Sequence, residues 1–169
     1  MFWGFLSWFF LGNSTRQDET GDWKLTRRME IFSAPGTLLY ALTITFAAVD
    51  FLMALMPHWF STIIGVYYFA ASFGSGMAFL ILAVRYLQST GRLKTVSPEH
   101  FQDMGKLMFA FIVFWAYIAF SQYMLIWYAN MPEGTQFYEV RQEGAWVGWS
   151  VGLLLVHFVI PFLGVMSRH

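Results

Sequence analysis

Cysteine is absent from the 169 residues, which removes disulfides, thiolate zinc sites, iron–sulfur ligation and covalent c-type haem from the chain's own chemistry. Charge is scarce too: Asp, Glu, Lys and Arg together are 12% of the chain, about half the usual ~25%. Lys plus Arg and Asp plus Glu number 10 each, so the formal charge is zero and a basic nucleic-acid surface has no compositional basis. Against these shortages stand 57% hydrophobic and 21% aromatic residues, too apolar a mixture for a water-soluble domain.

The few charges are unevenly placed. They leave charge-free runs at Ile31–Val49, Phe51–Val84, Leu107–Pro132 and Gly144–Ser167. A membrane-crossing helix needs about 20 apolar residues, and the runs resolve into four spans: Phe32–Met56, Ser61–Leu87, Leu107–Ala129 and Trp146–Ser167. Pro57-His58-Trp59-Phe60 makes a tight turn between the first two. Residues 1–12 are apolar but too short to cross, so they read as a partial transmembrane helix, the end of a span cut by the chain boundary. The predicted fold is an all-α membrane protein: four antiparallel transmembrane helices in an up-down bundle (31–169), a truncated N-terminal helix, and a cytoplasmic loop at 13–30. Ser97-Pro98-Glu99 supplies a helix cap, a first-turn proline and a first-turn acid, predicting a short interfacial helix ahead of the third span.

Alternation of the spans places Arg16, Lys24, Arg27, Arg28, Arg85, Arg92, Lys94, Lys106 and Arg168 on one side and Arg141 alone on the other. By the positive-inside rule the crowded side, which holds loops 13–30 and 88–106 and the C-terminus, is cytoplasmic.

Polar groups inside spans need protein or trapped water as partners. Each span carries a small-or-polar stripe at helical spacing: Ser33, Gly36, Tyr40, Thr43, Ala47 and Asp50; Ser61, Gly65, Tyr68, Ser72 and Ser75; Tyr117, Ser121, Met124 and Tyr128; Ser150 and His157. Such stripes serve helix packing or a hydrated path. Ala70, Gly74 and Ala78, and Gly144, Gly148 and Gly152, have the four-residue spacing of packing faces. Asp50 stands out, because a carboxylate within a span costs roughly 2.5–3.5 kcal/mol at its centre. It is either a locally bonded structural group or a proton carrier. His157 falls near mid-membrane, and Pro161 cannot donate to its carbonyl. The proton-transfer candidates are therefore Asp50, His157 and His58, with Tyr40, Thr43, Tyr68, Ser72, Tyr117 and Ser121 along a path. A quinol headgroup near His157 and Tyr117 is the alternative, and a purely architectural anchor the third reading. No catalytic residue or metal site is identified, and haem ligation lacks a second buried histidine.

Three segments carry a resemblance: AVDFLMALMPHWFSTIIGVYYFAASF, FAFIVFWAYIAFSQYMLIWYANMPEGTQFY and the closing VHFVIPFLGVMSRH. They resemble the Pro-His-Trp-Phe-Ser-Thr turn, the Phe-Trp-Ala-Tyr-Ile-Ala-Phe-Ser-Gln-Tyr helix and the Ile-Pro-Phe…Ser-Arg-His ending of the second large membrane subunit of alternative complex III. That family is the quinol:cytochrome c oxidoreductase quinone-binding subunit 2 group of the polysulfide-reductase/NrfD-like superfamily. The resemblance implies a non-redox subunit of a respiratory-chain complex in the bacterial inner membrane, concerned with proton translocation or structural support. It also implies haem and iron–sulfur clusters in partner subunits, no cofactor bound by this chain itself, and quinol as the alternative ligand. The family's usual length is more than twice this chain, which agrees with a fragment. Met56 stands where the family has Glu, and Phe51 where it has Trp. A proton-exit role for that Glu is lost here, leaving Asp50 and His58 as the titratable groups nearby.

Overall fold

The computed structural model describes residues 2–93 and 95–166. Lys94, Arg168 and the closing Ser167-Arg168-His169 lie outside the described residues. Seven α-helices and no strand occur among those described: α1 Phe2–Thr20, α2 Trp23–Phe51, α3 Ile64–Ser89, α4 Pro98–Ala129, α5 Pro132–Glu139, α6 Trp146–Leu154 and α7 Ile160–Met166. Four stretches are long and apolar enough to cross a membrane: Trp23–Leu55, Ile64–Ser89, Pro98–Ala129 and Trp146–Met166. The chain is thus an all-α, multi-pass membrane protein.

Several boundaries differ from the sequence expectation. Residues 13–30, expected as a loop, are helical except for Gly21 and Asp22. Gly21 turns the chain at φ 67°, and the Asp22 carboxylate accepts from the Lys24 N–H at 3.0 Å to start α2. The helix expected ahead of the third span is continuous with it. Ser97 is its N-cap, Pro98 and Glu99 fill the first turn as expected, and the Ser97 N–H donates to His100 Nδ1 at 3.1 Å. Hydrophobic length alone misses such extensions, because polar residues continue a helix once its first turn is satisfied.

The chain divides into two compact units, residues 1–46 and 47–169, with the division falling inside α2. In the first unit α1 and α2 run antiparallel: Phe9 meets Phe32 with ring centroids 4.8 Å apart, Gln17 bonds Thr26, and the Trp3 Nε1–H donates to Thr43 Oγ1 at 2.9 Å.

In the second unit α4 is central, with α3 and α7 packed on it. The α3–α4 seam is aromatic. Phe73 stacks on Phe111 at 3.9 Å, and Gly74 faces Phe111 across the same seam, where an added Cβ would stand 4.0 Å from the Phe111 Cβ, an ordinary contact. The Ala70 side of the expected small-residue face is therefore a packing face, and Ala70 is fully buried. The Gly144, Gly148 and Gly152 face behaves differently: a Cβ on any of the three would meet nothing within 4 Å among the described residues. Gly144 instead serves a turn, at φ 53°. The fourth span buries no residue of its most apolar stretch, so its surface is available to lipid or to other helices.

Pro161 shapes that span. Lacking an N–H, it leaves the His157 carbonyl without its usual donor. The backbone widens to a π-turn over Leu155–Val159, with the Ile160 N–H reaching the Leu155 carbonyl.

Candidate functional site

The Pro57 turn and the 130–142 segment meet at one end of the second unit. Asn130 closes α4 in the left-handed region (φ 48°, ψ 37°), its N–H donating to the Ile126 carbonyl at 3.0 Å. Pro132 then opens α5 at a position where its missing N–H costs nothing. The short helix returns over the bundle end, and Gly134 sits against Ile126. There the Phe137 ring stacks on Trp59, centroids 4.0 Å apart and 17° from parallel. The Arg141 guanidinium lies 3.5 Å from the centre of the same Phe137 ring. It donates to the Phe137 carbonyl at 2.7 Å and approaches the Met56 sulfur at 3.8 Å. A cation–π contact of this kind contributes ~0.5–2 kcal/mol and helps fix Arg141 in place. Ser150 on α6 completes the frame, its hydroxyl donating to the Arg141 carbonyl at 3.1 Å.

Beneath this roof lies a partly open cavity of about 680 Å³, within the usual range for small-molecule sites. Its wall is mainly aromatic and aliphatic, including Tyr67, Trp115, Phe120, Tyr123 and Phe137, and its polar lining includes Gln122, Tyr138 and Arg141. Gln122 is 5% exposed and its side-chain amide makes no hydrogen bond with any described residue. A buried primary amide has four hydrogen-bonding positions and is costly to leave unused. Gln122 lines the cavity, which gives its amide an outlet.

Tyr138 and Arg141, both in the segment joining the spans, are tuned by this setting. Burial pushes the Tyr138 hydroxyl up to about 12; neighbouring Tyr67 and Tyr123 add to the rise and Arg141 opposes it. Burial pulls Arg141 downward, opposed by Tyr138 and Tyr67. Tyr138 is thus a neutral phenol near neutral pH, able to donate a hydrogen bond, beside a guanidinium that supplies positive charge.

The residues singled out from sequence are dispersed. Asp50, in the last turn of α2, is exposed and its carboxylate makes no hydrogen bond or ion pair with a described residue. His58 is exposed in the turn. Tyr40 and Thr43 belong to the first unit, where Thr43 also donates to the Leu39 carbonyl at 2.9 Å and Tyr40 lies beside Trp3, ring centroids 6.1 Å apart. On α3, Tyr68 is exposed and Ser72 half-buried. On α4, Tyr117 is 64% exposed and Ser121 half-buried. His157, in the π-turn, is half-buried with its ring 4.4 Å from Trp115. Neither His157 nor Tyr117 lines the cavity, although Trp115, which touches His157, does. The expected α4 stripe faces outward: Tyr117, Met124 and Tyr128 are exposed, while Trp115, Ile118 and Gln122 form the buried face.

Sequence reasoning passed over Gln122, Tyr138 and Arg141 as site residues. The usable signals were that Gln122 is the one amide within the four expected spans and Arg141 the one cation on its side.

These features define a class, a multi-pass helical membrane protein with an aromatic cavity at one end. Compared with protein-family models and with curated proteins, the chain matches none.

Proposed function

We propose that this chain is an integral membrane subunit of a respiratory quinol:electron-acceptor oxidoreductase of the alternative complex III type, and that its cavity receives a quinol ring. The observation that carries the cavity reading is Gln122, an unpartnered amide 5% exposed in an aromatic pocket that also presents Arg141. A quinol suits such a site. Its flat ring packs against aromatic walls, its two oxygens need both donors and acceptors, and its isoprenoid tail is at home in lipid. The Gln122 amide donates to one ring oxygen or accepts from it. Arg141 and the neutral Tyr138 phenol offer N–H and O–H groups to another.

Oxidation of a quinol releases two electrons and two protons. The cysteine-free chain supplies no iron–sulfur ligands, so the electrons go to haem or iron–sulfur partners in other subunits. The cation asymmetry of the sequence sets the cavity on the non-cytoplasmic side, where proton release favours energy conservation. Asp50 and His157 are the titratable groups assigned to proton handling in this reading.

A photoreactive short-tailed quinol added to the whole complex tests the site. Labelling within Phe120–Tyr123 or at Tyr138, blocked by Ala119→Trp, is the expected result; labelling confined to other subunits rules the cavity out. Replacing Asp50 by Asn and His157 by Ala tests the proton assignment. Lower proton-to-electron stoichiometry with the complex assembled is expected, and unchanged stoichiometry removes it. The exposed apolar surface of the fourth span favours a second reading, an architectural anchor for neighbouring subunits. Normal turnover and pumping in every variant would select that one.

A further inference from the structure

The first unit holds a cationic site that the quinol reading does not use. A cleft of about 250 Å³ is lined by Trp8, Phe9, Gly12, Asn13, Arg16 and Arg28. Its lining combines the Trp8 and Phe9 rings with two arginines. A neighbouring cleft of about 220 Å³ shares Arg28 and adds Lys24 and Arg27. No acidic residue lines either cleft.

Glu30 pairs with Arg27 at 3.1 Å, Asp22 caps the start of α2, and Asp18 and Glu19 make no ion pair with a described residue. Arg16 and Arg28 likewise have no carboxylate within ion-pair distance among the described residues. The Arg28 guanidinium is held 5.5 Å from the Phe9 ring centre, and Asn13, 7% exposed, is fixed by a 2.7 Å bond to the Phe9 carbonyl. Arg28 and Asn13 are thus held in place, and neither guanidinium of the cleft is ion-paired with a described residue.

Depth identifies the complementary anion. Arg28 lies just before the charge-free run that starts at Ile31, and Arg16 just after the apolar residues 2–12, so both sit at headgroup level with aromatic rings below them. Two arginines there match a phosphodiester, and the neighbouring Trp8 and Phe9 rings match the glycerol and first acyl carbons. We infer that this cleft binds an anionic glycerophospholipid, its phosphate bridged by Arg16 and Arg28. A zwitterionic lipid is disfavoured because its ammonium group would face the same cations.

The full chain, in nanodiscs of phosphatidylethanolamine with a minor fraction of phosphatidylglycerol, provides the test, with bound lipid quantified by native mass spectrometry. The wild type is expected to retain phosphatidylglycerol selectively. Arg16→Gln and Arg28→Gln should each reduce that selectivity about five-fold, and the double variant roughly 30-fold. Arg16→Lys with Arg28→Lys should keep most of it, while Arg85→Gln with Arg92→Gln should change nothing. Helicity by circular dichroism verifies that each variant folds. Equal retention of both lipids by the wild type, undiminished selectivity in the double Gln variant, or displacement of the lipid by millimolar inorganic phosphate would each overturn the inference.

Discussion

Replacing Gln122 by Leu separates a ligand-directed amide from a structural one. The side chains are close in volume, so neither a cavity nor a clash is introduced. At 5% exposure, with no partner among the described residues, the amide carries part of the ~1–3 kcal/mol cost of an unsatisfied buried polar group. The cavity is partly open, so the lower end applies. The variant should gain about 1 kcal/mol without ligand, a rise of roughly 2–4 °C in melting temperature for a chain of this size. Binding should move the other way. Loss of one hydrogen bond to a ring oxygen weakens a quinol by about 1.4 kcal/mol, roughly ten-fold. The assay is a pair of melting curves in detergent, with and without a titrated short-tailed quinol, so stability and affinity come from the same samples. A variant that melts lower and binds quinol unchanged would refute the reasoning, because the amide would then be satisfied inside the protein.

Three further outcomes follow from the roof of the cavity. Trp59 is 5% exposed and its Nε1–H has no partner among the described residues, so Trp59→Phe, which keeps a ring against Phe137, should hold or raise the melting temperature. Trp59→Ala should cost ~3–5 kcal/mol by the same melting assay. At Gly134 a Cβ would stand 3.3 Å from Ile126 Cγ2, so Gly134→Val should destabilise by ~1–3 kcal/mol and make α5 more susceptible to limited proteolysis. Tyr138 should titrate late. Its folded value of about 12 exceeds the ordinary 10.0, so the folded state keeps the proton longer than the unfolded one. Its stability contribution is intact below pH 10.0 and declines as pH rises toward about 12. Alkaline denaturation curves of the wild type and Tyr138→Phe should diverge only in that window, with the wild type losing stability faster.

The sequence by itself determined the spans. Each is a long charge-free run, and hydrocarbon accepts only helices that satisfy their own backbone, so length and composition suffice without knowledge of any neighbour. It also located the turn at Pro57 and the cap at Ser97, whose chemistry is local. Tertiary structure decided which face of each helix looks inward. In a soluble helix the buried face is the apolar one, but lipid is as apolar as a protein interior, so a membrane helix has little contrast from which to read its rotation. On α4 the hydroxyl stripe through Tyr117 therefore looked like the interior, while packing against α3 and α7 buries Trp115, Ile118 and Gln122. Tertiary structure likewise brought Arg141 to Met56, 85 residues apart, and set Trp59 against Phe137. Those contacts depend on how α5 folds back over the bundle end, and no periodicity within one helix encodes that return.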